Sequence, residues 1–195
     1  DLFLGLSNDA ARMNTLVSEG YLTSPITPKQ KDKYFTWKTD IQQWALSNVR
    51  IPSSLAGVTI VMTGGQTGFI KDSYTGLEVE LVMPLTLNGV TITNIGQDVF
   101  NGKSLSSVYF DPNSSITRIH ARAFKDNNLT EISIPDSVVR LDYGAFFNNP
   151  ITKVTIGSGV VLESDVFRNN NSFRDAYNLQ GSGTYLFIDG NWVKQ

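Results

Sequence analysis

Four phenylalanines, each preceded by a small or β-branched residue, recur in this chain at nearly constant spacing. They are Val99-Phe100, Ala123-Phe124, Ala145-Phe146 and Val166-Phe167, separated by 24, 22 and 21 residues. Five residues before each stands an aliphatic: Ile95, Ile119, Leu141 and Leu162. After each of the first three comes a short polar run, then a segment of the form aliphatic-x-x-aliphatic-x-apolar. These segments are Leu105/Val108/Phe110, Leu129/Ile132/Ile134 and Ile151/Val154/Ile156. Four anchors in one internal phase constrain the fold more than any local propensity, because self-similarity at a period of about 20–50 residues marks a solenoid.

The physical reading follows from burial. The last two apolar positions of each segment, such as Ile132 and Ile134, alternate with polar ones, the period of a half-buried strand. One such strand cannot bury its own face, whereas stacked copies bury a continuous core. Leu141 and Phe146 then return to that core from an opposite wall, with Phe124 and Phe146 stacked in successive coils. Asn127, Asn149 and Asn170 each lie three residues past an anchor. Two readings of them stay open: stacked corner residues that bond the backbone of an adjoining coil, or exposed turn residues.

The second copy, Leu129-x-x-Ile132-x-Ile134-Pro135-x-x-Val138-x-x-Leu141-x-x-x-Ala145-Phe146, resembles the repeat of BspA-like leucine-rich-repeat surface proteins of bacteria. That family typically writes Ile-Gly before its Ala-Phe and a Cys three residues after. This chain keeps Ile95-Gly96 once and replaces every such Cys. Met83-Pro84 with Asn88 to Gly96 is similar to the family's first coil. Phe173, Tyr177, Gly183-Thr184-Tyr185 and Trp192 are similar to the module that often follows its last repeat. The resemblance spans about residues 57 to 195. It implies a leucine-rich-repeat solenoid, mostly β, with short coils and an irregular or 3-10 convex side. It also implies a secreted or cell-surface location and adhesion to extracellular proteins or other cells. The family is broad in function, so the resemblance bears on fold more than on activity.

Three segments are expected: an N-terminal helical capping segment over 1–56, the solenoid over 57–171, and a C-terminal capping helix and hairpin over 172–195. In the first, Ser7 or Asn8 is placed to cap a helix with Ala10, Met13, Leu16 and Val17 on one face. Thr27-Pro28-x-Gln30 resembles a capping box for a helix toward Tyr34. Asp40 is placed to cap another over Ile41–Leu46. Leu46-x-x-Val49-x-Ile51-Pro52 matches the repeat's spacing and reads as a degenerate first coil or as coincidence. A solenoid end exposes apolar cross-section, and the aromatics Tyr34, Phe35, Trp37 and Trp44 are suited to cover one. Val58–Met62 reads as a strand, Gly64–Gly68 as a turn, and Leu77–Met83 as a strand with Val79, Leu81 and Met83 on one face. At the far end, Phe173 and Tyr177 have helical spacing. Asp189-Gly190 joins two strand-like runs as a type I′ hairpin.

Composition narrows the function classes. The 195 residues carry a formal net charge of −2 with 17% charged residues. With no basic block, the chain has no nucleic-acid footprint. No apolar run reaches the ~18 residues of a membrane helix. Cysteine is absent, so disulfides and thiol chemistry are excluded. The sequence opens Asp1-Leu2-Phe3-Leu4 without methionine, which together with the resemblance leads us to expect a removed export signal.

Sites of chemistry are sparse. The single histidine, His120, lies in the turn between Ile119 and Phe124. No Gly-x-Ser-x-Gly accompanies it, and sibling repeats put Asp142 and Glu163 at the same position, which we read as the solvent side. One histidine and no cysteine leave too few soft ligands for structural zinc. Asp111-Pro112-Asn113-Ser114 lacks the order of a calcium loop, and Gly64-Gly65-Gln66-Thr67-Gly68 lacks the Lys-Ser/Thr of a phosphate loop. We therefore expect no catalytic, cofactor-binding or metal-binding residues.

By strand alternation the solvent-facing positions are Ser107 and Tyr109, Glu131 and Ser133, and Lys153 and Thr155. They are the candidate binding residues, centred on Tyr109, Glu131 and Lys153, with an extracellular protein or glycan as partner. The plain alternative is solvated strand positions on a spacer or cap without a ligand; an uncharacterised carbohydrate-active protein is a third. Four or five coils make a sheet of roughly 20 Å by 13 Å, about 260 Å². A standard specific interface covers ~800 Å² per partner.

Overall fold

The computed structural model describes residues 34–38, 43–47, 53 and 55–195. The chain divides into two units, residues 1–51 and 52–195. In the first, β1 (Tyr34–Lys38) and β2 (Gln43–Ser47) pair antiparallel, with Trp37 opposite Trp44 in register. This corrects the helix expected over Ile41–Leu46. Gln43–Ser47 is too short a run for its spacing to separate a helical period from a strand. The aromatic and β-branched Tyr34-Phe35-Thr36-Trp37 beside it suits a strand partner. The helix expected over 10–17, the one running from 28 toward Tyr34, the coil pattern beyond Leu46 and the aromatic cover by side chains of β1 and β2 lie outside the described residues.

The second unit is a solenoid of two walls. The first wall consists of β5 (Glu80–Met83), β8 (Ser107–Phe110), β10 (Glu131–Ser133) and β12 (Lys153–Ile156). Parallel ladders join β5 to β8 and β10 to β12. Between β8 and β10 the ladder is interrupted, although Asn128 N–H still donates to Leu105 C=O at 2.8 Å. The second wall runs through β7 (Val90–Ile95), β9 (Arg118–Ile119), β11 (Arg140–Leu141) and β13 (Val161–Leu162), all parallel. It is extended backwards by β4 (Thr67–Lys71), parallel to β7, and by β3 (Thr59–Gly64), antiparallel to β4. A short β6 (Thr86–Leu87) folds back on β7. The expected turn over Gly64–Gly68 is thus shorter, and its second half begins a strand. Leu81 and Met83 face the core as read from the alternation, but Leu77 is 96% exposed and Val79 48% exposed, because the strand begins only at Glu80.

Between the walls stands a column of rings. Phe100, Phe124, Phe146 and Phe167 are buried, with successive centroids 5.0, 5.2 and 5.6 Å apart and ring planes within 13° of parallel. Two left-handed residues flank each ring. Asp98, Arg122, Gly144 and Asp165 lie two positions before, and Gly102, Asp126, Asn148 and Asn169 two positions after, all at positive φ. The chain therefore enters and leaves each phenylalanine by the same tight bend, which holds the ring at a fixed height.

The asparagines resolve in favour of the buried reading. Asn127 Oδ1 accepts from Lys103 and Leu105 N–H at 3.0 Å each, and its Nδ2 donates to Phe100 and Phe124 C=O at 2.8 and 2.9 Å. Asn149 repeats this one coil on, accepting from Leu129 N–H and donating to Phe124 and Phe146 C=O. Each amide thus joins its own coil to the preceding one. Asn170 departs from the ladder, bonding Phe167 N–H and Glu163 C=O within its own coil.

Coil length varies in one place only. The step from each phenylalanine to the middle of the next first-wall strand (Val108, Ile132, Val154) is constant. So is the step from Ile119, Leu141 and Leu162 to the following phenylalanine. The variation falls on the rim between the walls, which is longer over 111–117, beside the interrupted ladder, than in the two later coils, and longer still over 84–93 in the first coil.

Both described ends of the column are closed by aromatics. Tyr74, fully buried, tilts onto Phe100 at 5.4 Å. Burial, with the Glu78 carboxylate beside it, pushes its phenol up to about 12. At the other end α1 (Asn170–Gln180) sets Phe173 edge-on against Phe167 at 4.8 Å, with Trp192 and Tyr185 packed around it. The hairpin of β14 (Gly183–Ile188) and β15 (Asn191–Lys194) turns through Asp189 and Gly190, both at positive φ, as the type I′ reading requires. Its first strand pairs antiparallel with β12, so the cap also lengthens the first wall.

Candidate binding surface

The first wall turns alternate side chains outward in two rows. Glu131 and Lys153 are register partners in one row, which continues to Leu186 and Val193 in the hairpin. Ser133 and Thr155 are partners in the other, which continues to Thr184. On the earlier pair of strands, Ser107 lies opposite Glu80 and Tyr109 opposite Val82. Ser107, Glu131, Ser133 and Lys153 are exposed, and Tyr109 and Thr155 half-buried.

Some of these groups already have partners. Lys153 Nζ lies 3.2 Å from Glu131 Oε2, a solvent-exposed pair of the weakly stabilising kind. The hydroxyls of Thr155 and Thr184 are 3.0 Å apart. Leu186 and the 47% exposed Val193 add an apolar end to a row that the repeat pattern alone presents as polar. With the two hairpin strands the face spans about six strands, roughly 29 Å by 13 Å or about 370 Å². That is still less than half of a standard interface side of ~800 Å².

The second wall carries the charged residues that strand alternation did not single out. Arg118 Nε lies 3.1 and 3.0 Å from the two Asp142 oxygens, with Nη2 2.9 Å from Oδ2. Arg140 Nε reaches Asp142 Oδ1 at 3.0 Å, and its Nη2 bonds Glu163. Asp142 is consequently buried, which corrects its reading as a solvent-side residue; Glu163 is half-buried. Asp142 thus ties its own coil to the preceding one through Arg118, and Arg140 links it through Glu163 to the next, so the network joins three successive coils across the outside of the wall. The repeated Arg-aliphatic pairs Arg118-Ile119 and Arg140-Leu141 are the signal from which this could have been read. In the first coil the same position is Gly96, where a Cβ would meet Ile70 C=O at 2.4 Å.

His120 belongs to this network. Its Nδ1 lies 3.4 Å from Asp142 Oδ2, and no serine or threonine hydroxyl bonds it among the described residues. Burial, aided by the Arg118 charge and opposed by Asp142, holds the imidazole below its ordinary value of 6.5. The unfolded chain therefore binds the proton first as pH falls, so this contribution to stability is complete above pH 6.5 and is lost below it. The expected result is a thermal midpoint that falls between pH 7 and 5 in the parent, with a shallower slope in His120→Gln. Equal slopes in the two proteins would remove His120 from the account.

Asp111, considered for calcium, has its Oδ1 engaged by Asn113 N–H and Asn113 Nδ2 at 2.8 and 3.0 Å. The Asp111–Ser114 segment is an ordinary side-chain-stabilised turn. Among the described residues no cluster of three metal-ligating side chains occurs, and no helix is long and apolar enough to cross a membrane.

Comparison with known protein families agrees with the coil architecture. The model of the BspA type leucine rich repeat region matches six copies over residues 85–186, just over half of the chain. Among solved structures, the crystal structure of the pneumococcal vaccine antigen PcpA is similar at 19% identity and a TM-score of 0.40, covering 58% of this chain and 39% of that one. The match thus spans well under half of that solved chain. Among curated proteins, none matches the chain's sequence.

Proposed function

The chain belongs to the BspA type leucine-rich-repeat family, and from that premise we propose that it is a non-enzymatic recognition module of an extracellular or cell surface. It contacts a protein or glycan through the first-wall strand face, with Tyr109, Glu131 and Lys153 at the centre and Ser107, Ser133 and Thr155 around them. The observation that carries this reading is the composition of that face. Short side chains, one aromatic and one exposed ion pair lie on rigid strands, and the hairpin cap adds Leu186 and Val193 to the same row. Such a mixture suits recognition, in which an aromatic and an apolar anchor sit among groups able to hydrogen-bond.

The small face makes single contacts weak, so binding acts through many copies. The test is a chain displayed multivalently on beads, incubated with arrays of extracellular-matrix proteins and glycans. A Tyr109→Ala/Lys153→Glu double variant with an unchanged circular dichroism spectrum serves as control. The expected result is a ligand retained by the parent and bound about tenfold less by the variant. No ligand at high display density would favour a spacer; a ligand bound equally by both proteins would sink this choice of face.

A further inference from the structure

The last coil of the second wall ends in an open strand edge beside a cleft. Val161 and Glu163 N–H point back and donate to Val139 and Leu141 C=O at 2.9 and 3.0 Å. In a parallel ladder the residue between them turns its N–H and C=O the other way, so Leu162 presents both to the free edge of β13, the terminal strand of its sheet. Each preceding coil fills this position with the next strand, as Leu141 C=O is filled by Glu163 N–H. The edge borders a cleft of about 480 Å³ lined by Val160, Val161, Leu162, Arg174, Tyr177 and Asn178, among others. Tyr177 fixes the floor: its hydroxyl accepts from Val160 N–H at 2.9 Å and donates to Gly157 C=O at 2.7 Å.

Two features indicate what fits there. Val161 is 51% exposed on the edge strand, an apolar side chain in the outward row that Arg118 and Arg140 occupy on the earlier strands, where the side chain of an added strand would lie beside it. Arg174, half-buried in the cleft wall, has no hydrogen-bond or ion-pair partner among the described residues, and no carboxylate lines the cleft. The neighbouring guanidiniums differ, since Arg118, Arg122 and Arg140 each hold a carboxylate.

We propose that the β13 edge is a second binding site, distinct from the strand face, which takes an extended peptide segment carrying a carboxylate side chain. The peptide adds one strand to the second wall through the backbone of Leu162, lays an apolar side chain on Val161, and presents its carboxylate to Arg174. Main-chain bonds give such an addition its affinity, and the side-chain contacts give it selectivity.

The test uses the full 195-residue chain and fluorescein-labelled seven-residue peptides of alternating Val and Thr, with one Glu or one Gln moved through each position, read by fluorescence polarisation. The best Glu peptide is expected to bind about fivefold more tightly than its Gln counterpart, the scale of one part-exposed ion pair. Arg174→Gln is expected to abolish that ratio while leaving the Gln peptide unchanged. N-methylation along the best peptide is expected to abolish binding at a single residue, the one whose N–H reaches Leu162 C=O, a selectivity that a loose hydrophobic contact lacks. Failure of every peptide to bind, N-methyl effects that are not confined to one residue, or a Glu-to-Gln ratio that survives Arg174→Gln would each overturn the proposal. So would concentration-dependent dimerisation of the chain that the peptides do not reverse, which would assign the edge to a second copy. None of these readouts involves Tyr109 or Lys153, so this site and the strand face stand or fall separately.

Discussion

Phe124→Ala is expected to destabilise the solenoid by about 3–5 kcal/mol, the cost of a large core cavity that its surroundings cannot close. The ring is fully buried and touches rings above and below at 5.0 and 5.2 Å. Collapse into the void would require both left-handed bends to shift, and these are fixed by the backbone rather than by side-chain packing. Phe146→Ala should cost a similar amount. The double variant should cost less than the sum, because the stacking between the two rings, worth roughly 0.5–1.5 kcal/mol, is lost only once. Urea unfolding followed by the fluorescence of Trp192, buried in the C-terminal cap, measures all three. Because coils contact only their neighbours, a void in the middle should also lower the cooperativity of the transition. A cost below about 1 kcal/mol for both single variants would mean that the column does not hold the coils in place.

Asn127→Ala is expected to cost about as much, roughly 3–5 kcal/mol, although it removes few atoms. Two backbone donors, Lys103 and Leu105 N–H, and two acceptors, Phe100 and Phe124 C=O, lose their partner at once. Each buried group left unsatisfied costs about 1–3 kcal/mol, reduced where water can enter. The informative companion is Asn127→Asp. Its carboxylate can still accept from the two N–H groups, but its other oxygen faces the Phe100 and Phe124 carbonyls. At neutral pH it should therefore recover little of the lost stability, and it should recover more as the carboxyl protonates and gains an O–H donor. If Asn127→Asp matched the parent at pH 7, the amide nitrogen would have no part in the corner.

These two residue types explain why so much of the coil was legible from sequence. Phenylalanine and asparagine stand at fixed offsets from each other, and both offsets are set by the same bend, so repetition exposes them. The second-wall strands are two residues long in three of the four coils, too short for any period to show. The aliphatic five residues before each ring marks an opposite wall in the sequence but not its strands. The strand Thr67–Lys71 is not legible in the sequence because Gly68 and the adjacent pair Phe69-Ile70 break alternation, and its parallel partner lies more than twenty residues away. The second-wall ion pairs that join different coils link residues 24 or 23 positions apart, and only the coil register brings them together. Local spacing therefore gives Asp142 as a turn residue, whereas two guanidiniums from neighbouring strands close over it. The extension of the first wall by the hairpin also depends on a pairing, Val154 with Tyr185, that no repeat encodes.

The confinement of length variation to the rim between the walls has a consequence for how such a molecule can diversify. The arc containing the phenylalanine behaves as a fixed gauge, since its bends, ring and amide must coincide from coil to coil. The rim answers to no neighbour in the same way, and the Asp111–Thr117 stretch shows it accepting extra chain while the gauge keeps its pitch. Novelty in this architecture can therefore accumulate along one side of the stack, like annotations in a margin, without rewriting the text that holds the page together.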